Sequence, residues 1–218
     1  MPVKTPSSLR FLVTAGPTRE FMDPIRYLSN RSSGKMGYAL AEAARAVSPH
    51  VTLVSGPTAL TPPAGDEFIS VTTAQEMAEA VLARFEQADV VLMTAAVCDF
   101  RPKRAAQHKI KKDSFAGLLE LEPTPDILAE LGRRKGEQLL VGFAAETDAV
   151  EENAREKLRR KRLDLIVANA ASAFESDTNA VTVIGPDGRG ERLPEMSKHE
   201  VARALVERVV ELISCTDH

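Results

Sequence analysis

The sequence is poor in the residues that several classes of function require. It has no tryptophan, and its two cysteines, Cys98 and Cys215, lie far apart and form no Cys-x-x-Cys pair. We therefore expect reduced thiols in a cytoplasmic protein. The four histidines show none of the ligand spacings of a structural zinc site. No apolar stretch reaches the roughly 18 residues that cross a membrane, and the N-terminal MPVKTPSSLR lacks the apolar segment of a secretory signal.

Charge and size fit a single globular domain. The net charge of −3 gives no overall attraction to nucleic acid or to a membrane, so we expect neither as a partner. Apolar residues make up 44% of the chain, which is ordinary for a globular protein. We predict one domain over residues 1–218, with a flexible start at residues 1–9.

Apolar runs of strand length alternate with amphipathic helical patterns along the chain. Because the apolar runs are uninterrupted and joined by helices, they predict an α/β fold, a doubly wound (Rossmann-like) and mostly parallel sheet with helices on both faces. A hairpin pattern near residues 180–196 predicts antiparallel strands at one edge. The predicted strands are 11–16, 51–56, 68–72, 89–97, 138–147 and 164–171, and the predicted helices are 34–47, 73–88, 125–135, 149–162 and 197–213.

Two connections are longer than α/β units usually need. Residues 17–33 separate the first strand from its helix, and residues 98–124 follow a buried strand and are rich in lysine and arginine. Both follow the carboxyl ends of strands, where open α/β sheets bind their ligands. We therefore expect both segments to contribute to a binding site.

The stretch SNRSSGKMG at residues 29–37 opens the first helix. A serine such as Ser32 can cap a helix, Gly34 permits close backbone approach, and exposed N–H groups there suit a phosphate. The stretch is not a Walker A loop, since Met36 stands where Ser or Thr is required, and Gly16 lacks the partners of a dinucleotide fingerprint. From this stretch alone, anion binding and a plain capped helix with Gly37 packed on the strand remain equally open.

Six segments together carry a more specific signal. They are TAGPTREFMDPIRYLSNRSSGKMG, AAVCDFRP, KIKK, PTPDIL, VGFAAET and DLIVAN, in that order. Their order and spacing closely resemble the phosphopantothenoylcysteine synthetase family, over about residues 10–212. Many bacterial members are fused behind a flavin-dependent decarboxylase, to which nothing here corresponds. The resemblance thus indicates a free-standing ligase or an isolated ligase domain, with that decarboxylase as a possible separate partner.

The resemblance implies a ligation in coenzyme A biosynthesis. The carboxylate of 4′-phosphopantothenate attacks the α-phosphate of CTP, giving an acyl-cytidylate and pyrophosphate. L-cysteine then displaces CMP to give 4′-phosphopantothenoylcysteine. Mg²⁺ accompanies the CTP, no flavin or NAD is expected in this chain, and family members are typically homodimers. An ATP-using form of the same ligase is the alternative within the family.

The family motifs also imply roles for individual residues. Lys109, the first lysine of KIKK, and Asn30 match catalytic residues, acting on the α-phosphate and on the acyl carbonyl respectively. Arg26, Asn30 and Ala96 match the phosphopantothenate side of the site. The nucleotide-binding matches are Gly16, Ser32, Gly34, Gly37, Ala95, Asp99, Lys109, Pro125, Asp126, Ile127, Leu128, Phe143, Lys157, Lys161 and Asn169. The metal ligands are left unassigned.

Each of these residues also has a plainer interpretation. Lys109 is otherwise a solvated lysine in a basic loop, Asn30 a turn residue, and Arg26 the partner of Glu20 or Asp23 in a surface ion pair. Cys98 is expected to be a small buried residue and not a nucleophile, because no histidine is placed to activate it. Two rival functions are a NAD(P)- or flavin-dependent oxidoreductase and a module that grips nucleic acid through residues 101–112.

Overall fold

The computed structural model describes residues 4–65, 67–114, 117–146, 149–170 and 177–216. Expectations for residues 1–3, Thr147, Ala171 and the thiol of Cys215 lie outside the described residues. Two single turns of 3-10 helix occur, at Pro6–Ser8 and Lys112–Ser114. Leu9 is already part of the hydrophobic core, so the packed domain begins at that residue.

The described elements follow the predicted alternation of strands and helices. The helices are α1 (Lys35–Val47), α2 (Ala74–Phe85), α3 (Ile127–Arg134), α4 (Val150–Arg160) and α5 (Lys198–Thr216). The strands are β1 (Arg10–Ala15), β2 (Glu20–Phe21), β3 (Tyr27–Leu28), β4 (His50–Ser55), β5 (Glu67–Ser70), β6 (Val90–Met93), β7 (Phe100–Pro102), β8 (Leu121–Pro123), β9 (Leu139–Glu146), β10 (Leu165–Ala170), β11 (Thr178–Asn179), β12 (Val181–Ile184), β13 (Gly190–Arg192) and β14 (Met196–Ser197).

Eight of these strands form one sheet, in the order β13-β12-β10-β9-β6-β1-β4-β5. The strands from β10 to β5 pair in parallel, whereas β12 and β13 are antiparallel. The mostly parallel sheet and its antiparallel edge are therefore as predicted. Three two-stranded sheets, β2-β3, β7-β8 and β11-β14, lie outside it.

The sheet is covered on both faces because side chains of a strand alternate in direction. On β1, Phe11 and Val13 face one core together with α1 and α5. Leu12, between them, faces the other core together with α2, α3 and α4. This two-sided burial explains why the parallel strands read as continuous apolar runs.

Helix starts are set by side-chain and glycine caps. The capping box predicted from Thr73 and Glu76 is present at α2. At α1 the expected serine cap is wrong: Gly34 is the N-cap residue, in the left-handed conformation with φ 78°, and no side chain caps the helix. At α3, Asp126 caps by accepting from the Ala129 N–H, so the helix starts after Pro125 and not at it.

Strand β6 is shorter than the predicted 89–97. It ends at Met93, because the next residues turn to contact the loop after β1. Thr94 Oγ1 donates to the Thr14 carbonyl, and the Ala95 N–H donates to Thr14 Oγ1. A parallel bridge then joins Pro17 to Ala96. The result is an open crevice beyond the carboxyl ends of β1 and β6.

This crevice is the topological switch point of the sheet. From β1 the chain proceeds outward through β4 and β5, and then returns to β6 on the other side of β1. Ligands of open α/β sheets bind at such a point. The two long connections leave from here, and each contains a small hairpin, β2-β3 in the first and β7-β8 in the second. Within the described ranges, no helix has the length and apolar character needed to cross a bilayer.

Candidate functional site

A cleft of about 570 Å³ occupies the switch point. Its walls come from the start of α1, the segment after β6, the start of α3, and side chains of β9, β10, α4 and α5. Fifteen of the residues that the family motifs select line it together. They are Asn30, Ser32, Gly34, Gly37, Ala95, Ala96, Asp99, Pro125, Asp126, Ile127, Leu128, Phe143, Lys157, Lys161 and Asn169.

Glycines let the start of α1 lie directly on the sheet. A Cβ at Gly37 would lie 2.5 Å from Ala15 Cβ and 2.7 Å from Thr94 Oγ1. The close packing of Gly37 on the strand is therefore real, and the same glycine also lines the cleft. Gly16 is among the predicted residues that do not line the cleft. It lies behind Gly34, whose Cβ position is 3.3 Å from Gly16 Cα.

Asn30 ties the first long loop to the segment after β6. Its amide nitrogen donates to the Ala96 carbonyl, and its amide oxygen accepts from the Ser32 N–H at 3.1 Å. The second bond is the turn contact expected of an ordinary loop asparagine. The first bond is not local, and it places the amide at the cleft beside Ala96.

Two lysines form the wall on the α4 side, four residues apart as predicted. Lys161 Nζ donates to Asp126 Oδ1 at 2.8 Å, and Lys157 Nζ donates to the Phe143 carbonyl at 2.8 Å. Burial alone would raise the pKa of Asp126, but the hydrogen bonds from Lys161 and from the Ala129 N–H outweigh it and lower that pKa. Asp126 is thus held as a carboxylate.

The opposite wall contains residues that the sequence motifs do not select. Lys35 is partly exposed, lines the cleft and pairs with Asp177 at 2.5 Å. Lys198, at the start of α5, is buried, and burial followed by the charge of Lys35 lowers its pKa. Asn179 is buried at the same wall, and among the described residues its Oδ1 is the buried side-chain atom left without a hydrogen-bond partner. No spacing links Asn179 or Lys198 to the motifs.

Cys98 and Asp99 directly precede β7 and line the cleft. The Cys98 thiol lies near the carbonyls of Thr18 and Leu28, at 3.5 and 3.9 Å. Burial raises the pKa of this thiol, and the charges of Glu20 and Asp99 raise it further. A neutral thiol is a weak nucleophile, in agreement with the structural role expected of Cys98. Asp99 is exposed to the cleft.

Besides Gly16, two predicted residues lie outside the cleft, Arg26 and Lys109. Arg26 makes the ion pair with Asp23 that the plainer interpretation allows, through Nε at 2.9 Å and a terminal nitrogen at 2.5 Å. Lys109 is exposed and is not part of the cleft wall. The two are nonetheless close in space, since Arg26 also donates to the carbonyl of Ile110 at 2.7 Å.

The cleft as a whole suits a phosphorylated ligand. Four lysines face it, Lys35, Lys157, Lys161 and Lys198. The start of α1 lines it as well, and a helix N-terminus carries about half a positive charge. Apolar side chains such as Phe143 and Ile127 supply flat contact area on the α3 side. This arrangement can hold a polyanion at one end and a ring at the other.

Comparison with known proteins identifies the family of this chain. The model of one protein family, described as the DNA/pantothenate metabolism flavoprotein C-terminal domain, matches residues 7–213. The coenzyme A biosynthesis bifunctional protein CoaBC of Bacillus subtilis is 51% identical over 206 residues, covering 92% of this chain and 51% of that protein. The protein of the same name in Escherichia coli is 43% identical over 217 residues, covering 96% and 53%. The chain thus spans about half the length of these relatives.

Solved structures share the fold. The crystal structure of the C-terminal domain of a CoaBC protein superposes with a TM-score of 0.83 at 47% identity, covering 95% of this chain and 96% of that one. A mutant Cab2 protein in complex with phosphopantothenate-cysteine superposes with a TM-score of 0.80 at 18% identity, which shows a common fold. The chain therefore belongs to the family of the DNA/pantothenate metabolism flavoprotein C-terminal domain, which confirms the resemblance of its motifs to phosphopantothenoylcysteine synthetase.

Proposed function

We propose that this chain is a phosphopantothenate–cysteine ligase of coenzyme A biosynthesis that uses CTP. The observation that carries the proposal is that residues from five of the six motifs, all except KIKK, meet around one cleft at the switch point of the sheet. The names of the relatives support the pathway, and the ligand of the Cab2 complex is the product that this reaction forms.

The proposed reaction has two steps. A carboxylate oxygen of 4′-phosphopantothenate attacks the α-phosphorus of CTP, and the bond to the β-phosphate oxygen breaks to release pyrophosphate. The amine of L-cysteine then attacks the acyl carbon, loses a proton and displaces CMP. Both steps bring anions together, so cations and N–H dipoles contribute more than a protein nucleophile does. The lysines of the cleft and the start of α1 meet that need.

Within this proposal the nucleotide spans the cleft. The triphosphate lies over the start of α1, near Ser32 and Gly34, and the base lies at the start of α3. Backbone groups of Pro125 to Leu128 read the base there, and Phe143 packs on the nucleotide. The buried Asn179 and Lys198 extend the polar wall beyond α1, on the side of the departing pyrophosphate. Asn169 and Asp99 complete the contacts to the nucleotide.

Lys109 is proposed to stabilise the charge that develops on the α-phosphate. Its side chain is exposed and lies outside the cleft wall of this chain. The proposal therefore requires the Lys109 side chain to extend from its segment to a nucleotide during the reaction. Asn30 is proposed to act in the second step, because its amide faces the cleft beside Ala96 and can orient the acyl carbonyl.

Magnesium is proposed to enter with the triphosphate. Within the described part of the chain, no group of three or more histidine, cysteine, aspartate or glutamate side chains could hold a metal ion. Mg²⁺ is usually held by substrate phosphates, water and one or two carboxylates. Asp99 is a carboxylate that faces the cleft and fits such a role. The bound ion would neutralise phosphate charge, and the reaction needs no flavin or nicotinamide.

Pyrophosphate release tests the function directly. Purified protein is mixed with 4′-phosphopantothenate, L-cysteine and Mg²⁺, and CTP is compared with ATP. We expect release that depends on phosphopantothenate, is faster with CTP and stops when EDTA removes the metal. Faster release with ATP would show that the enzyme uses ATP and not CTP. No release with either nucleotide, from folded protein, would refute the ligase.

A homodimer is also proposed. Exposed apolar side chains occur on the two small hairpins and in the connections within them, and we call them the hairpin patch; they are Phe21, Ile25, Tyr27, Phe100, Leu118 and Leu121. Contiguous exposed apolar surface of this kind marks an interaction site. Light scattering should give the mass of two chains, and Leu121→Asp should give a monomer. Phe68→Asp changes a similarly exposed residue on β5; it is the control and should stay dimeric.

A further inference from the structure

The carboxylate of Asp23 joins the two long connections of the fold. Asp23 follows β2 in the first connection, and its side chain has no exposed surface. Its Oδ1 accepts from the N–H groups of Ile25 and Arg26, at 2.9 and 2.8 Å. Its Oδ2 accepts from the Arg26 guanidinium and from the N–H of Ile110 at 3.1 Å. The last of these contacts spans 87 residues of sequence.

Ile110 is held at both of its main-chain polar groups. Its N–H donates to Asp23 Oδ2, and its carbonyl accepts from a terminal nitrogen of Arg26 at 2.7 Å. The Asp23–Arg26 ion pair therefore binds this residue as a neighbouring β-strand would, with one acceptor and one donor. Ile110 stands between Lys109 and Lys111 in KIKK, so the contact fixes the backbone from which Lys109 extends.

A second tether supports the first. The N–H of Ala106 donates to the carbonyl of Met22 at 2.9 Å, directly beside Asp23. The basic segment is thus attached at residues 106 and 110 to the turn between β2 and β3. Lys109 lies between these two attachment points, and its own side chain stays exposed.

We propose that Asp23 is a positioning residue for the ligase reaction, which acts with Arg26 to hold the KIKK segment so that Lys109 is presented to the nucleotide. Asp23 touches no substrate in this role. Its effect passes through the main chain of Ile110 to the neighbouring lysine. The inference rests on the proposed function for its catalytic consequence, and on geometry alone for the docking of the segment.

The first test replaces Asp23→Asn, which keeps the shape and removes the charge. We expect kcat for pyrophosphate release to fall roughly 10- to 100-fold, the usual effect of one charged hydrogen bond on a rate. The KM for CTP should change little. The control is Glu67→Gln, which breaks the comparable Arg84 ion pair at the other end of the sheet and should leave the rate unchanged. A wild-type rate in folded Asp23→Asn would overturn the proposal.

A double-mutant cycle separates an effect that acts through Lys109 from an independent loss of activity. If Asp23 acts through Lys109, then Asp23→Asn adds almost no further loss once Lys109→Ala is present. If the two losses multiply, Asp23 acts in some other way and the proposal fails. Should Asp23→Asn not fold, Ile110→Pro removes the N–H donor of the tether, although it also restricts the backbone at residues 109 and 110. Ile110→Ala, which keeps that donor, is its matched control and should retain the rate that Ile110→Pro loses.

Limited proteolysis tests the docking without any enzyme assay. Trypsin cleavage after Lys109 and Lys111 should be at least about tenfold faster in Asp23→Asn than in wild type or Glu67→Gln, since local opening exposes the segment. Equal cleavage rates would refute the tether. If the wild-type chain releases no pyrophosphate but the cleavage rates differ as expected, the proposed function fails while the docking stands.

Discussion

The side-chain amide of Asn30 donates a hydrogen bond to the main-chain carbonyl of Ala96 at 2.5 Å. This contact spans the switch point, because it connects the loop after β1 to the segment after β6. An amide nitrogen carries two N–H donors, so one remains for a ligand in the cleft. Both residues match the phosphopantothenate side of the family site, and the structure brings them into contact.

We therefore predict that Asn30→Ala uncouples the two proposed steps. Pyrophosphate release should continue, while formation of the cysteine adduct should fall about 100-fold, the size of effect seen for one preorganised donor at an acyl centre. Quenched reactions analysed by chromatography would show the acyl-cytidylate accumulating. Ser29→Ala removes a neighbouring bond of the same loop, from Ser29 Oγ to the Thr18 carbonyl, and should still form product. Equal loss in both steps would contradict this role.

Lys109→Ala should block the earlier step. Without its positive charge near the α-phosphate, we expect pyrophosphate release to fall at least about 100-fold with an unchanged melting temperature, since the side chain is exposed. Lys103→Ala is the control from the same segment, because Lys103 only approaches Glu120 at 3.9 Å. If both variants release pyrophosphate equally fast, Lys109 has no special part in the reaction.

Gly37→Ala should destabilise the fold. The added methyl would meet Ala15 Cβ at 2.5 Å and Thr94 Oγ1 at 2.7 Å, and overpacking of this kind costs about 1–3 kcal/mol. Urea unfolding measures the change in the free energy of unfolding. Gly136→Ala is the control, because the nearest atom to its added Cβ is 3.6 Å away. Equal stability of Gly37→Ala and wild type would contradict the close packing of α1 on β1.

The thiol of Cys98 should react slowly with alkylating reagents. Because burial raises its pKa, the neutral form persists at pH values where a free cysteine already ionises. Alkylation by iodoacetamide, followed by mass spectrometry at this residue, should therefore be slower than for free cysteine at pH 8 and should accelerate as the pH rises beyond 9. Cys98→Ala should retain pyrophosphate release. Fast alkylation at neutral pH, or an inactive Cys98→Ala, would point to a thiolate with a chemical role.

Local pattern was enough to predict the sheet. Apolar runs and helical periodicity indicate which segments form strands and helices, and two long loops at the carboxyl ends of strands indicate the edge of the sheet at which the cleft is found. Cap residues were harder, because Gly34 and Asp126 act through backbone conformation and one local bond, and several neighbouring residues could have served equally. The predicted end of β6 was wrong for a similar reason. The Ala95 N–H donates to the side chain of Thr14, and the strand ends before that residue.

The missed residues share a different cause. Asn179 and Lys198 reach the cleft only because α5 packs beside α1, more than 140 residues away in sequence from Lys35. The bond between Asp23 and Ile110 likewise joins two irregular segments. Periodicity indicates which side chains of a segment are buried. It does not indicate which loop, distant in sequence, contacts that segment. Contacts of this kind depend on the three-dimensional arrangement of the loops.

The position of β1 also has a consequence for biosynthesis on the ribosome. This strand lies in the middle of the sheet, between β4 and β6, and pairs Phe11 with Val51 on one side and Val90 on the other. A nascent chain therefore exposes one edge of β1 until residue 90 has left the exit tunnel. The cleft wall that contains Lys198 forms later still, because it requires the synthesis of α5. We expect the ability to bind a ligand to arise late, together with the core that α1 and α5 share.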